Sequence, residues 1–240
     1  MIVTTQDGSN TLFSKAYNQH YHNIKEGAVF ESLSKHVIPA LTFHQNKKHL
    51  RILDICFGLG YNTLSTLYYL TEHKLNLTLE IFSPELDEAL IESLIGFKYP
   101  KEFETLLPII QTLAKDKKYE DEKIKIELFI GNARDYVKTL TQLDIVYQDA
   151  FSSEVNSELW SVEYFKDIYK ACSKNAIITT YAIATPIRLS MHEAGFSIYE
   201  FIPQKRKITL GFKQKQSFIG KYVDMELKKI RNKEAKSLVD

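Results

Sequence analysis

A glycine-containing run after an apolar segment is the part of this sequence best suited to binding a ligand. Residues 54–62 read DICFGLGYN and contain Gly58 and Gly60. Two glycines let the backbone turn tightly and approach a ligand, and the N-terminus of the following helix can receive negative charge. A dinucleotide fingerprint would need a third glycine at position 63, where this chain has threonine, so an NAD or FAD site is disfavoured.

Polar side chains also follow the next two predicted strands. Glu85 ends the run SPE, and its carboxylate can accept hydrogen bonds from both hydroxyls of a ribose. Alternatively, Glu85 caps the next helix together with Asp87. Gly131 permits a turn before Asn132, whose side chain can meet the edge of an adenine ring, cap the following helix, or do both.

An alternation of apolar segments predicts the elements that position these residues. Strands are expected at 50–56, 77–82, 124–130, 143–148 and 176–181. Helices are expected at 61–72, from 87, from 101, and at 133–140, 160–172 and 186–194. The segments 196–202 and 207–212 form a hairpin-like pair. This rhythm predicts an α/β fold with a doubly wound, mostly parallel sheet, which binds ligands at the carboxyl ends of its strands.

The two ends of the chain flank this alternation. We expect an N-terminal extension at 1–49, a main domain at 50–214 and a basic C-terminal tail at 215–240. Residues 2–14 predict two short extended pieces around an Asp-Gly turn. A helix at 28–44 would present one apolar face, formed by Val29, Leu33, Val37, Ile38 and Leu41. Residues 115–123 are expected to be a charged connection.

Composition narrows the function class. The 240 residues suit one α/β domain, and the two cysteines lie in apolar stretches typical of buried thiols. No zinc-ligand spacing, secretory signal or membrane-spanning apolar run is evident, so a cytoplasmic protein without a metal is expected. Residues 201–240 hold 11 Lys and Arg against 4 Asp and Glu. That excess indicates a polyanionic partner or, alternatively, a solvated tail.

The same runs resemble the methyltransferase domain of the bifunctional tRNA 5-methylaminomethyl-2-thiouridine biosynthesis protein, MnmC. The similarity lies in residues 54–62, in FSPE at 82–85, in 131–133 and in DAFSSEVNSELWSVEYF at 149–165. The chain departs from the family at Ala150, where glycine is common, and at Ser152 and Ser153, where Ala-Pro is usual. No sequence for the FAD-dependent oxidase half follows, so the resemblance implies a stand-alone methyltransferase without FAD.

The resemblance implies a fold, a cofactor and a set of site residues. The fold would be the Rossmann-like one of class I methyltransferases, and the cofactor S-adenosylmethionine. The cofactor would be bound by Asp54, Phe57, Gly58, Gly60, Asn62, Glu85, Asn132, Ala133 and Asp149. Asp149 and Phe151 would be catalytic: the acid would orient the target amine and accept its proton, and the aromatic ring would stabilise positive charge.

The resemblance also implies a substrate, the primary amine of 5-aminomethyl-(2-thio)uridine at the tRNA wobble position. The product would be the 5-methylaminomethyl nucleoside. Contacts to tRNA would come from Tyr21, His22, Lys205, Arg206 and Lys207. The run at 17–31 would close over the site, with Glu31 framing the cofactor, and His20 or His22 would be either a general base or a packed side chain.

Two alternatives remain open from the sequence. A polyamine aminopropyltransferase shares the sheet and presents acids to an amine, but it usually adds a second acid where this chain has Ser152 and Ser153. A catalytically silent RNA-binding subunit could also retain the fold. The intact Gly58, Glu85 and Asp149 argue against a silent copy.

Overall fold

A mixed sheet brings the predicted ligand-contacting loops to one edge. The computed structural model describes residues 2–204 and 206–240. The described strands are β1 (Ile2–Thr4), β2 (Asn10–Ser14), β3 (Gln19–His20), β4 (His49–Ile55), β5 (Thr78–Glu85), β6 (Lys118–Glu120), β7 (Ile124–Ile130), β8 (Leu143–Gln148), β9 (Cys172–Thr180), β10 (Ser197–Phe201), β11 (Ile208–Phe212) and β12 (Lys221–Tyr222). The described α-helices are α1 (Ala28–Glu31), α2 (Ile38–Phe43), α3 (Tyr61–Glu72), α4 (Glu88–Ser93), α5 (Leu107–Asp116), α6 (Ala133–Val137), α7 (Val162–Ala171), α8 (Thr185–Glu193) and α9 (Met225–Arg231).

The order of the strands creates a switch point at β4. Across the described residues the main sheet runs β12-β10-β11-β9-β8-β4-β5-β7-β6. The central strands β7, β5, β4, β8 and β9 are parallel, whereas β6 and β10–β12 pair antiparallel. The chain thus builds outward from β4 in both directions, and the loops after β4 and β8 diverge to leave a crevice. This arrangement confirms the α/β, mostly parallel fold and its C-terminal antiparallel hairpin.

Alternation along β4 shows how both faces of the sheet are covered. Leu50 and Ile52 pack into one hydrophobic core, while Leu53 and Ile55 pack into the other. The first core is closed by residues 28–43 together with α3, α4 and α5, and the second by α6, α7 and α8. Because side chains alternate along a strand, a nearly continuous apolar run is needed to fill both cores.

The predicted boundaries differ from the observed ones where local signals were weak. The charged connection at 115–123 contains the short edge strand β6, and β9 begins at Cys172 rather than at 176. The helix expected from 101 begins as a 3₁₀ segment, Lys101–Leu106, before α5. Both strand differences involve polar residues, such as the exposed Lys174 and Asn175 of β9, that sequence periodicity does not assign to a strand.

The helix predicted at 28–44 contains a π-helical segment, Ser32–Val37, between α1 and α2. Val37 and Leu41 are buried as predicted, but Ile38 is 39% exposed, and His36 is buried in the interior instead. A π turn adds a residue to the helical turn, so it rotates the residues that follow relative to a regular 3.6-residue pattern. The assignment of Ile38 to the apolar face was therefore wrong.

Both terminal regions are attached to the main domain. Strands β1–β3 form a separate antiparallel sheet, and the Tyr61 hydroxyl donates to the backbone oxygen of Asn10 at 2.8 Å. Residues 215–240, predicted as a tail, contain β12 at the sheet edge and the short helix α9. Arg134 on α6 also pairs with Asp240. Within the described ranges, no helix has both the length and the apolar character needed to cross a bilayer.

Candidate active site

A cavity of about 1070 Å³ lies at the carboxyl ends of the parallel strands. Its wall includes Gly58 after β4, Glu85 at the end of β5, Asn132 after β7 and Asp149 after β8. Tyr21 of the N-terminal region lines the same cavity. The four strand-end residues, separated in the sequence, are brought together because the ends of parallel strands meet at one edge of the sheet.

The loop after β4 forms the floor of the cavity. The Gly60 amide donates to the Phe57 carbonyl oxygen at 2.8 Å, which closes a tight turn before α3. Gly60 has φ +76°, and a Cβ built there would lie 2.8 Å from the Phe57 ring. Glycine is therefore required at position 60 by packing against Phe57, which itself lines the cavity. No side chain caps the N-terminus of α3.

Glu85 organises this loop as well as facing the cavity. One carboxylate oxygen accepts a hydrogen bond from the Gly58 amide at 2.9 Å, and the other accepts from the amides of Leu86 and Asp87. Burial raises the pKa of Glu85, and these backbone donors oppose that effect without cancelling it. Asp87 provides the helix cap, since its side chain accepts from the Leu90 amide at the start of α4.

Asn132 can perform both of the tasks that the sequence left open. Its side-chain oxygen accepts from the Arg134 amide at 2.8 Å and caps α6, and the residue also lines the cavity beside Ala133. The preceding Gly131 cannot be replaced easily, because a Cβ there would lie 2.6 Å from the Phe129 ring.

A buried polar cluster joins the loops after β4 and β8. The Asn62 side-chain nitrogen donates to Asp54 Oδ1 at 3.2 Å and to Asp149 Oδ2 at 3.0 Å. Asp54 Oδ2 accepts from the Thr63 hydroxyl at 2.8 Å. On the other side of Asp149, His36 Nε2 lies 3.4 Å from Oδ1. Asp149 is thus held between an amide and an imidazole, with 21% of its side chain exposed towards the cavity.

The pKa values of the two carboxyl groups in this cluster are shifted in opposite directions. Burial raises the pKa of Asp54 to about 7, even though Thr63 and Asn62 donate hydrogen bonds to it. Burial also tends to raise the pKa of Asp149, but the nearby His36, with smaller contributions from His22 and Asn62, outweighs burial and lowers it. Asp149 is therefore the more fully ionised of the two carboxyl groups at neutral pH.

An aromatic wall, formed by Tyr17, Tyr21 and Phe151, lines the same cavity as the polar cluster. The Phe151 ring stacks on Tyr17, with centroids 4.6 Å apart, and lies 5.1 Å from the Tyr21 ring. The loop carrying Phe151 is fixed by the Trp160 indole N–H, which donates to the Phe151 carbonyl oxygen at 2.8 Å, and by the Tyr181 hydroxyl, which donates to the carbonyl oxygen of Ala150. The faces of such rings suit a planar base or a cation.

A chain of ion pairs borders the cavity on the N-terminal side. Glu31 lies 3.7 Å from His22 and pairs with Lys35, which also pairs with Glu26. Burial acts against ionisation of Glu31, but His22 and Lys35 outweigh it and lower its pKa. Glu26 also pairs with Arg206 at 2.8 Å.

Comparisons with known proteins identify the family. Residues 98–214 match a family model described as S-adenosyl-L-methionine-dependent methyltransferase. An uncharacterized protein of Methanocaldococcus jannaschii is 30% identical over 221 residues, 89% of this chain and 59% of that protein. The tRNA 5-methylaminomethyl-2-thiouridine biosynthesis bifunctional protein MnmC of Campylobacter fetus is 25% identical over 219 residues, 82% of this chain and 33% of that protein. The chain therefore spans less than two thirds of these curated relatives.

A solved structure decides the assignment. The crystal structure of MnmC2 from Aquifex aeolicus superposes with a TM-score of 0.82 at 30% identity, covering 96% of this chain and 75% of that one. The chain belongs to the MnmC-like methyltransferase family. This MnmC-like protein is an S-adenosylmethionine-dependent methyltransferase with the class I fold, as the resemblance implied.

The cavity of this MnmC-like methyltransferase fits S-adenosylmethionine. Asn62 Oδ1 is buried without a hydrogen-bond partner although the residue lines the cavity, so it can accept from a ligand donor such as an ammonium group. The uncapped N-terminus of α3 can receive a carboxylate. Glu85 and Asn132 line the same cavity, with oxygen atoms suited to a ribose and to the edge of an adenine.

The predicted cofactor residues occupy two positions relative to the cavity. Phe57, Gly58, Asn62, Glu85, Asn132, Ala133 and Asp149 line it. Asp54 and Gly60 lie behind its wall. Asp54 is 1% exposed and hydrogen-bonds Asn62 and Thr63, and Gly60 packs on Phe57. These two residues support Asn62 and Phe57, and their direct contact with the cofactor stays a prediction.

The predicted tRNA contacts are also divided. Tyr21, His22 and Arg206 line the cavity. Lys207 does not line the cavity and pairs with Glu200 of β10 at 3.0 Å, and Lys205 lies outside the described residues. The positive charges of Arg206 and Lys207 are thus partly compensated by neighbouring carboxylates.

Sequence reasoning missed His36 and Tyr181, and it included Tyr17 only as the start of the run at 17–31 that was expected to close over the site. His36 was detectable as a polar residue among the apolar positions of the 28–44 helix, seven residues after Val29. Tyr181 had no comparable signal, because its role depends on the loop of Phe151, which is distant from it in the sequence. The predicted catalytic residues and their partners are therefore supplied by separate parts of the chain.

The opposite pKa shifts in this protein give a test of the polar cluster. The pKa of Asp54 in the folded protein is raised to about 7. The free energy of unfolding therefore falls as pH rises from about 4 to 7, because ionisation of Asp54 is penalised in the folded state. Asp54→Asn removes this penalty, since its amide can accept from Asn62 or Thr63 without carrying charge. We expect the variant to gain stability relative to wild type over this pH range, by on the order of a few kcal/mol, in urea unfolding at pH 5 to 8.

Asp144→Asn is the matched control for this measurement. Burial works against ionisation of Asp144, but Lys47 and other donors outweigh it and lower its pKa, so its stabilising contribution is lost only as pH falls below its ordinary value near 4. The Asp144 variant should therefore be destabilised at neutral pH and approach wild type in acid. Parallel pH profiles for the two variants would contradict the raised pKa of Asp54.

Proposed function

We propose that this protein methylates the primary amine of 5-aminomethyl-(2-thio)uridine at the wobble position of tRNA, giving the 5-methylaminomethyl nucleoside. The proposal rests on the environment of the Asp149 side chain. Its partly exposed carboxylate lines the cavity, its pKa is lowered, and the aromatic wall lines the same cavity. The names of the MnmC relatives, which refer to this modified nucleoside, support the substrate class.

The side chains of the site suit a planar base that carries an amine. The rings of Tyr17, Tyr21 and Phe151 offer faces on which a uracil can stack. The Asp149 carboxylate can accept hydrogen bonds from the amine, directing its lone pair, and can then take the proton that the amine releases. S-adenosylmethionine supplies an already activated methyl group, so positioning provides most of the rate.

The size of the cavity supports two occupants. Its volume of about 1070 Å³ is at the upper end for pockets that hold one small ligand. A cofactor along Phe57, Gly58 and Glu85 would leave the region between Asp149 and Phe151 for a nucleoside. The N-terminal region closes this side, because Gln19 donates to the Ser152 hydroxyl at 2.7 Å.

Nucleoside mass spectrometry tests the proposal directly. The full chain is incubated with S-adenosylmethionine and tRNA that carries 5-aminomethyl-2-thiouridine, and the tRNA is digested to nucleosides. We expect loss of the aminomethyl nucleoside and gain of its methylated form. Calorimetry with S-adenosylmethionine and its decarboxylated analogue separates the alternatives. Tighter binding of the analogue, with no tRNA product, would favour aminopropyl transfer, and binding of neither would favour a silent RNA-binding subunit.

The basic sequence at 205–207, of which Arg206 lines the cavity, gives a prediction about tRNA binding. We propose that Arg206 and Lys207, together with Lys205, bind phosphates of the tRNA. Replacing Arg206 and Lys207 with Ala should raise the KM for tRNA and reduce the slope of log affinity against log salt by about one for each phosphate that is no longer bound. Lys174→Ala, an exposed change on β9, is the control. An unchanged salt slope in the double variant would move the tRNA to another surface.

A further inference from the structure

The π-helical segment places one buried side chain at the candidate active site. Within Ser32–Val37, His36 has 1% of its side chain exposed and still lines the cavity. Its Nδ1 lies 2.8 Å from the Thr179 hydroxyl on β9, and its Nε2 lies 3.4 Å from Asp149 Oδ1. π turns are rare and occur frequently at functional sites. The π segment and β9 therefore support the carboxylate that follows β8.

We propose that His36 is a positioning residue for methyl transfer, in which its Nε2–H holds the Asp149 carboxylate in the orientation that receives the amine. This inference rests on the proposed function of the site. Asn62 donates to Oδ2 and His36 faces Oδ1, so each oxygen of Asp149 has its own donor. Two donors on different oxygens fix the rotation of the carboxylate plane, which one donor would not do. At 3.4 Å the His36 contact is longer than an ordinary hydrogen bond, as is common before substrate binds.

The partner on the other nitrogen supports this role. The Thr179 hydroxyl can donate to Nδ1 when the ring is neutral, and it can accept from Nδ1–H when the ring is charged. In both states the Nε2–H remains directed at Asp149. The ring can therefore keep its orientation while a cationic amine enters or leaves, and the Tyr147 ring, 5.7 Å away and edge-on, limits its rotation.

Two amide substitutions separate positioning of Asp149 from anchoring to Thr179. The amide nitrogen of glutamine reaches about as far as Nε2 of histidine, whereas that of asparagine reaches only about as far as Nδ1. His36→Gln should therefore keep a donor to Asp149, and His36→Asn should keep only the contact with Thr179. Single-turnover methylation should fall about tenfold or more in His36→Asn, as for a catalytic group misplaced by about an ångström, and should stay near wild type in His36→Gln.

The accompanying measurements distinguish positioning from loss of structure. Melting temperature, cofactor Kd and KM for tRNA should change little in either variant, because the effect is on kcat. Titration of the Asp149 carboxyl by ¹³C NMR should show a higher pKa in His36→Asn than in wild type. Thr179→Val keeps the volume of the side chain and should lower the rate much less than His36→Asn does, since the donor from Nε2 to Asp149 is retained.

The rates of the two His36 variants decide the proposal. Wild-type rates in both amide variants, or impairment of His36→Gln alone, would overturn the proposal. If both variants are equally slow, a donor at the position of Nε2 does not restore the rate, and the proposal is overturned. If wild-type protein fails to methylate aminomethyluridine tRNA, the proposed function fails, while the titration still tests the contact between His36 and Asp149.

Discussion

Asp149→Ala is expected to lower single-turnover methylation of aminomethyluridine tRNA by about two orders of magnitude or more, with cofactor affinity nearly unchanged. The carboxylate faces the cavity between Asn62 and His36, so its removal eliminates the acceptor for the amine. Cofactor affinity should survive because the loop of Gly58 is held by Glu85 instead. The measurement combines a rapid-quench assay, a cofactor Kd and a melting temperature on one preparation.

Asp149→Asn separates orientation from proton acceptance. Its oxygen can accept from Asn62, and its amide nitrogen can face His36, which can switch tautomer so that Nε2 accepts and Nδ1–H donates to Thr179. The variant should therefore fold normally and remove only the charge. A rate between wild type and Ala would favour orientation, and a rate equal to Ala would favour proton acceptance. A stable Ala variant with the wild-type rate would remove Asp149 from the mechanism.

The sequence was sufficient to predict the parallel strands of the sheet and several of the residues that line the cavity at their ends. The strands β7 and β8 and the helix α3 have the predicted bounds, because each is a continuous apolar or periodic segment with a clear turn at its end. Glu85, Asn132 and Asp149, predicted as site residues from their position after strands, line one cavity. This rule works because the parallel order of the strands brings their ends together.

The substrate side was harder to predict because it depends on contacts between distant segments. His36 lies beside Asp149 because the helix contains a π turn, which a regular helical period does not predict. Tyr17, in the N-terminal region, stacks on Phe151. The basic cluster at 205–207 looked free in the sequence, whereas Arg206 and Lys207 pair with Glu26 and Glu200. Charge counts along a chain carry no information about such pairing.

Gly60→Ala is expected to destabilise the protein by roughly 2–5 kcal/mol and to weaken cofactor binding. Left-handed backbone at φ +76° costs an alanine roughly 1–2 kcal/mol. The new Cβ would also lie 2.8 Å from the Phe57 ring, and such overpacking typically adds about 1–3 kcal/mol. Phe57 lines the cavity, so its displacement should raise the cofactor Kd.

Gly8→Ala isolates the backbone strain from the overpacking. Gly8 has φ +84°, close to that of Gly60, but a Cβ there would meet nothing within 4 Å. This control should therefore lose only the roughly 1–2 kcal/mol of backbone strain and bind cofactor normally. Urea unfolding and calorimetric titration with S-adenosylmethionine on both variants give the comparison. Equal destabilisation of the two would mean that Phe57 moves aside freely, and a wild-type Kd in Gly60→Ala would mean that the position of Phe57 does not set the shape of the cofactor site.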